Sequence, residues 1–223
     1  MSVYKVVKLH KPFDRVIEVP GSKSITNRAL LLACMSGGRC KLKGALYSDD
    51  TIHFISSLRS MGFNVEISDN GDIEVTGQGG NIPISIGSID VGSAGTAARF
   101  LTAFVGLSDC IYTVNCTDQM AKRPMKPLFD ILTSLQAQIT YLRDREHLPA
   151  KIIGATLADS LYGEATIDSE YDKDISELLS LTPAEKEEEV VIDVPSDMST
   201  QFLSALLMIA PVYANKVFKR VIL

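Results

Sequence analysis

The stretch IEVPGSKSITNRALLLACM, residues 17–35, decides the fold because it recurs. IDVGSAGTAARFLTAFVGL, residues 89–107, and IDVPSDMSTQFLSALLMIA, residues 192–210, follow the same plan. Each opens on Ile-acid-Val, the alternation of a half-buried strand. Each then crosses a short Gly/Ser/Pro loop and enters an apolar run. Self-similarity of this kind fixes an architecture before any single element does.

The apolar runs are unusual for surface helices. Residues 29–35 carry no polar side chain, residues 100–107 only Thr102, and residues 202–210 only Ser204. A helix that is apolar all round is a buried helix. Three of them predict helices packed inside and sheets outside.

A second helix per unit reads differently. After the strand-like KLKGAL, Ser48 with Asp49 and Asp50 makes a helix start. Ile52, Ile55, Leu58 and Met61 are expected on its inner face, with Ser56, Ser57 and Arg59 outside, and Gly62 ends it. NVEIS and DIEVTG follow as a hairpin through Asp69, Asn70 and Gly71. The second unit repeats this with strand IYTVNC, a helix over residues 127–138, and hairpin strands ITYLRD and AKIIG. Each unit therefore reads β-α-β-α-β-β. The third has a strand, loop and apolar helix, then VFKRVIL as a final strand, and is incomplete. The units are placed at about residues 21–80, 81–160 and 190–223. A domain cut there is expected to leave a sheet edge and apolar surface uncovered.

The chain has 223 residues, 46% of them hydrophobic, enough for one large domain or two small ones. Charged residues are 22%, which argues against disorder. Net charge is −5 without a Lys/Arg block, so no nucleic-acid partner is expected. No apolar run reaches membrane-span length. The polar start resembles neither a signal nor a transit peptide, so a cytoplasmic location is expected. Cys34, Cys40, Cys110 and Cys116 form no C-x-x-C pair, and His10, His53 and His147 do not cluster with them. Free thiols and no metal are the expectation. Residues 164–189 hold ten acids against two lysines and read as a solvated surface insertion.

The same spot recurs three times: a loop feeding the N-terminus of a buried helix. Such ends present unpaired N–H groups and a partial positive charge, which suits anions. Unit 1 places Ser22, Lys23, Ser24, Thr26, Asn27 and Arg28 there. Unit 2 places Gly92, Ser93, Gly95, Thr96 and Arg99, and unit 3 places Ser199, Thr200 and Gln201. Lys23 is a compact charge able to bridge two anions, whereas Arg28 offers a planar fork. KRPMKP, residues 122–127, adds Arg123. If pseudo-threefold packing gathers these ends, the pocket takes a multiply charged small anion. Any one of these Ser or Thr residues also fits a plain N-cap, Arg99 fits a structural ion pair equally well, and Met120, Met125 and Met208 fit core packing. PGSKS is not a P-loop, GSAGTAAR lacks G-x-G-x-x-G, and no Gly-x-Ser-x-Gly elbow occurs.

PGSKSITNRALLLA, residues 20–33, resembles the first signature of the 5-enolpyruvylshikimate-3-phosphate synthase family. GSAGTAARF, KRPMKPL, STQFLSALLM and LYSDDT resemble further motifs of that family, in chain order. The resemblance implies an inside-out α/β barrel, the enolpyruvyl transferase fold, in two domains of three units each. Residues 1–20 would belong to the other domain and residues 21–223 to this one. It implies transfer of enolpyruvyl from phosphoenolpyruvate to the 5-hydroxyl of shikimate 3-phosphate, without cofactor or metal, in a monomer inhibited by glyphosate. By motif position, Lys23 would touch both substrates and assist proton movement. Ser24 and Arg28 would hold shikimate 3-phosphate, with Ser199 and Thr200 on its phosphate and Gln201 between the substrates. Gly95 and Arg123 would contact phosphoenolpyruvate, and Thr96 and Arg99 would shape that pocket. Ser93 stands where the family often has Asn, and Thr200 replaces a common Ser. The family's other catalytic acids and bases lie beyond Leu223, so little activity is expected from this chain alone. The competing readings are the transferase acting on UDP-N-acetylglucosamine, the RNA 3′-phosphate cyclase group, and a non-catalytic fragment of the fold.

Overall fold

The computed structural model describes residue 16 and residues 19–157, 190–191, 199–217 and 221–222. Most of the expected segment 1–20, the acidic stretch 164–189 and the strand at 192–194 lie outside the described residues.

In the first unit, α1 (Lys23–Met35) leads to β1 (Arg39–Leu42), α2 (Asp49–Ser60), β2 (Val65–Ile67) and β3 (Ile73–Thr76). Ser22 caps α1 by accepting from the Ile25 N–H, and Ser48 caps α2 by accepting from Thr51. Asp49 and Asp50 open α2 and Arg59 closes it, each at the end its charge favours. The hairpin forms as read, with Ile67 opposite Ile73 and the Asp72 N–H bonded to Asn70 Oδ1 at 3.1 Å.

The second unit runs β4 (Ile86–Asp90), α3 (Gly95–Gly106), β5 (Ile111–Asn115), a short α4 (Asp118–Ala121), α5 (Lys126–Ser134), β6 (Gln138–Tyr141) and β7 (Ala150–Ile153). The third contributes β8 (Val190–Val191), α6 (Thr200–Val217) and β9 (Val221–Ile222).

Topology proves the repeat. The first sheet is ordered β1-β3-β2 and the second β4-β5-β7-β6, so β1-β3-β2 reproduces β5-β7-β6. β4 and β5 pair in parallel across α3, and β8 and β9 pair in parallel across α6. The glycine after each hairpin also matches. Gly77 donates to Gly38 O, and Gly154 to Cys110 O. A Cβ on Gly77 would stand 2.2 Å from Ser36 O, and one on Gly154 would stand 2.1 Å from Ser108 O. In both units, then, the hairpin closes onto the end of the buried helix too tightly for a side chain.

α3 is the centre. All of its residues are buried, and it packs against α1, α2, α5 and α6. Phe100, Leu101 and Phe104 have no exposed surface. Burying each is worth about 1.5–3 kcal/mol. The other two apolar helices depart from the expectation. Leu32 of α1 and Leu207 of α6 are 50% and 51% exposed, and Ile25 is 68% exposed. α1 packs against α2, β1, β3 and α3, and α6 against α3, and each leaves these residues uncovered.

Two smaller expectations also need correction. Ile52 of α2 points outward, and Phe54 and Ser57 point inward. α2 packs on α1 and α3 and also on β4, where the Ser57 hydroxyl donates to Asp90 O at 3.1 Å, so its buried face is wider than the apolar pattern. The helix expected over residues 127–138 ends at Ser134, as α5. Met120 and Met125 are fully buried, as core residues.

Candidate functional site

Unit 2 builds the most developed part of the site. Ala94 precedes α3 and offers no side-chain cap, so the helix mouth is open. Gly95 is the first helical residue there. A Cβ on it would lie 2.8 Å from Arg99 Nη1, 3.0 Å from Arg123 Nη1 and 3.6 Å from Gln201 Oε1. Two guanidinium groups and a carboxamide, from α3, the loop before α5 and α6, thus bracket one Cβ-sized space.

Arg99 is held without a carboxylate partner in what the structure describes. It forms no ion pair among the described residues, and neither does Arg123. Its Nη1 donates to Gly95 O at 3.0 Å, its guanidinium lies over Phe202, and its Nε is buried without a partner. The side chain is 9% exposed. Burial, and secondly the neighbouring Arg123 charge, hold its pKa below the usual arginine value. Two like charges beside an uncapped helix N-terminus are an incomplete electrostatic set that an anion would complete.

Unit 1 approaches through Arg28. This side chain bonds to the Ser24 hydroxyl, donates to Ser24 O at 3.0 Å and reaches Ser204 Oγ of α6 at 3.0 Å. It also lies 5.2 Å from the centre of the Phe100 ring. Arg28 therefore touches all three central helices. Asn27, fully buried, donates to Thr96 Oγ1 at 2.6 Å and fastens the first turn of α1 to that of α3. Lys23 is held elsewhere, by Asp50 of α2 at 3.0 Å.

Unit 3 supplies Ser199, whose Oγ accepts from the Gln201 N–H at 3.4 Å, and Thr200, whose carbonyl accepts from Ser204. Ser199 and Thr200 are exposed. Ser93 turns to Thr117, with 2.7 Å between their hydroxyl oxygens.

The expected site residues thus fall into two groups. Gly95, Arg99, Arg123 and Gln201 converge, while Arg28 joins Ser24 to Ser204 of α6, and Thr96 is taken up by Asn27. Asp50, Ser204, Phe100 and Phe202 had no assigned role from sequence. Asp50 was visible as a helix-start acid, whereas the two rings looked like ordinary core. A separate groove of about 270 Å³ lies against α2, lined by Tyr47, Ile52, Ile55, Ser56, Arg59 and Ile67. Its one cation, Arg59, is already bonded to Val65 O, so the groove lacks the chemistry gathered at the helix mouths.

Comparison with known proteins bears on the family and the fold. Residues 7–222 match the family model described as EPSP synthase (3-phosphoshikimate 1-carboxyvinyltransferase). A 3-phosphoshikimate 1-carboxyvinyltransferase of Trichormus variabilis is 32% identical over 217 residues, covering 97% of this chain and 44% of the relative. One from Shewanella baltica is 35% identical over 203 residues, covering 90% and 41%. A pentafunctional AROM polypeptide of Komagataella phaffii is 38% identical over 186 residues, covering 77% of this chain and 12% of that polypeptide. The solved EPSP synthase from Acinetobacter baumannii superposes with a TM-score of 0.65 at 20% identity, over 87% of this chain and 37% of that one. That likeness establishes the enolpyruvyl transferase fold. The chain spans less than half the length of the single-function relatives it matches. With the repeated units, the buried central helix and a match along nearly its whole length, the chain belongs to the EPSP synthase family.

Proposed function

We propose that this chain supplies one lobe of a carboxyvinyltransferase, which moves enolpyruvyl from phosphoenolpyruvate to the 5-hydroxyl of shikimate 3-phosphate and releases phosphate. The observation that carries the reading is the Arg99–Arg123 pair, two guanidinium groups around Gly95 that form no ion pair among the described residues. Phosphoenolpyruvate is the small, multiply charged anion that would belong there, with Gly95, Thr96 and Arg123 around it. Glyphosate would compete for the same space.

Shikimate 3-phosphate is assigned to the adjoining group. Ser24 and Arg28 hold the ring side, and Ser199 and Thr200 at the start of α6 hold the phosphate. Gln201 lies between the substrates, and Lys23 serves both. No metal or organic cofactor takes part. Residues 21–223 form this lobe and residues 1–20 belong to the other. The complete enzyme acts as a cytoplasmic monomer, and this chain alone turns over negligibly, because general acid–base groups must stand within hydrogen-bond reach of the moving protons.

The test is to titrate shikimate 3-phosphate and phosphoenolpyruvate into the purified chain while following backbone amides by NMR. Saturable shifts are expected at residues 23–28 and 199–201 for the first ligand, and around Gly95 and Arg123 for the second. They should be lost in Lys23→Ala/Arg28→Ala and in Arg123→Ala respectively. Well-dispersed spectra that ignore both ligands would sink the reading.

A further inference from the structure

Lys23 is the first residue of α1, and no acid occupies the first turn of that helix. A cation at the positive end of a helix is electrostatically misplaced. Its ion-pair partner is Asp50, whose Oδ2 lies 3.0 Å from Nζ. Asp50 comes from another helix: it stands in the first turn of α2, where the dipole favours an acid. α2 packs against both α1 and α3. One turn after Asp50, His53 lies against Gly92 in the loop ahead of α3, where a Cβ would meet its ring at 2.4 Å. One helix thus braces the mouths of two others.

Stability is a poor reason for this pair. The Lys23 side chain is 47% exposed and that of Asp50 25%, and exposed ion pairs contribute little. Geometry is a better one. An ammonium group has three N–H donors and rotates freely unless one is fixed. A carboxylate on a rigid helix fixes one donor and thereby the directions of the other two.

We propose that Asp50 is the positioning residue for Lys23: its carboxylate takes one N–H of the ammonium and aims the remaining two at the two anionic substrates. This rests on the reading of Lys23 as a ligand shared by shikimate 3-phosphate and phosphoenolpyruvate. Asp50 touches neither substrate. Asp50→Asn keeps the shape and an acceptor oxygen but loses the charge that orients the ammonium. Asp50→Glu keeps the charge.

Two measurements on the 223-residue chain decide the matter. In the first, without substrate, each lysine is labelled with a limiting amount of acetic anhydride and its rate is read by mass spectrometry. Asp50→Asn should change the Lys23 rate severalfold against the other lysines, and Asp50→Glu should restore it. An unchanged Lys23 rate overturns the proposal whether or not any substrate binds. In the second, shikimate 3-phosphate affinity should fall roughly tenfold in Asp50→Asn, and Asp50→Asn should add nothing in a Lys23→Met background. An equal loss in both backgrounds also overturns the proposal, since Asp50 would then act without Lys23. If the unaltered chain binds no shikimate 3-phosphate, the functional reading fails, and the labelling rates still decide whether Asp50 holds Lys23.

Discussion

The guanidinium carbon of Arg99 lies 4.8 Å from the centre of the Phe202 ring, so a cation of the second repeat rests on an aromatic of the third. Arg99 belongs to α3 and Phe202 to α6, two helices that pack closely. The ring face partly offsets the cost of burying an arginine that forms no ion pair among the described residues. It also holds the guanidinium at Gly95 when no anion is there. Phe202→Leu keeps an apolar side chain and removes the π face. We expect it to cost about 1–3 kcal/mol in urea unfolding and to weaken phosphoenolpyruvate binding. An undiminished affinity would show that Arg99 keeps its place without the ring.

Gly95→Ala should act on one ligand more than the other. The added methyl would strike Arg99 Nη1 at 2.8 Å and Arg123 Nη1 at 3.0 Å, and both are the far ends of long side chains. They can move aside, so the fold should survive. The anion space between them should shrink, lowering phosphoenolpyruvate affinity roughly tenfold or more, with shikimate 3-phosphate binding little changed. Equal losses for both ligands in parallel titrations would contradict the two-group division of the site.

Asn27 should prove sensitive although it touches no proposed ligand. Its amide donates to Thr96 Oγ1 at 2.6 Å, and its own Oδ1 is already buried without a partner. Asn27→Ala removes the tie between α1 and α3 and leaves a cavity. A loss of about 1–3 kcal/mol is expected. Asn27→Asp should cost more, because it buries a charge with no cation bonded to it. Chemical denaturation of the two variants checks the order.

Gly77→Ala and Gly154→Ala should behave as a matched pair. Each methyl would meet a backbone carbonyl oxygen, at 2.2 Å and 2.1 Å respectively, and the main chain there cannot swing away as a side chain can. Each hairpin should be pushed off its helix end, costing about 1–3 kcal/mol or more. Indifference at either position would mean that the two closures are not equivalent.

Alkaline pH should expose Tyr112. It is fully buried and donates to Ile84 O at 2.6 Å. Burial, helped by Cys110 alongside, pushes its pKa up to about 12. The folded form holds its proton more tightly than the unfolded chain, which ionises near its ordinary value of about 10. The resulting stability is present in full below pH ~10 and is lost as pH rises through about 12. Tyrosinate absorbance in Tyr112→Phe should lack the last-titrating group. A Tyr112 that ionises with the solvent-exposed tyrosines would refute this.

Much of the fold was legible because repetition supplied its own control. The loop-to-helix plan around Lys23 pointed to α1, and the same plan around Gly95 and Thr200 pointed to α3 and α6. Capping by Ser48 and the hairpin at Asn70-Gly71 were local signals and appeared where read. Ile52 was misjudged because a periodic pattern assumes one buried face, whereas α2 is covered on two sides, by helices and by β4. Leu32 and Leu207 were misjudged for the opposite reason: an apolar run records what a helix can bury, not what has been set against it. Within the site, residue types gave the anion chemistry. They could not give the Arg99–Phe202 and Lys23–Asp50 pairings, which depend on how separate units meet in space.

The bond from Arg28 to Ser204 joins residues 176 positions apart. A polypeptide leaves the ribosome from its amino end at roughly 5–20 residues per second. Arg28 is therefore made roughly 9–35 seconds before the hydroxyl that receives it. Through that interval, the first two repeats can assemble while the arginine still lacks its third-repeat contact. The order of synthesis makes α6 the last of these three central helices to arrive, so a pause in translation ahead of residue 204 would lengthen the time that its partner surfaces on α1 and α3 stand open to chaperones.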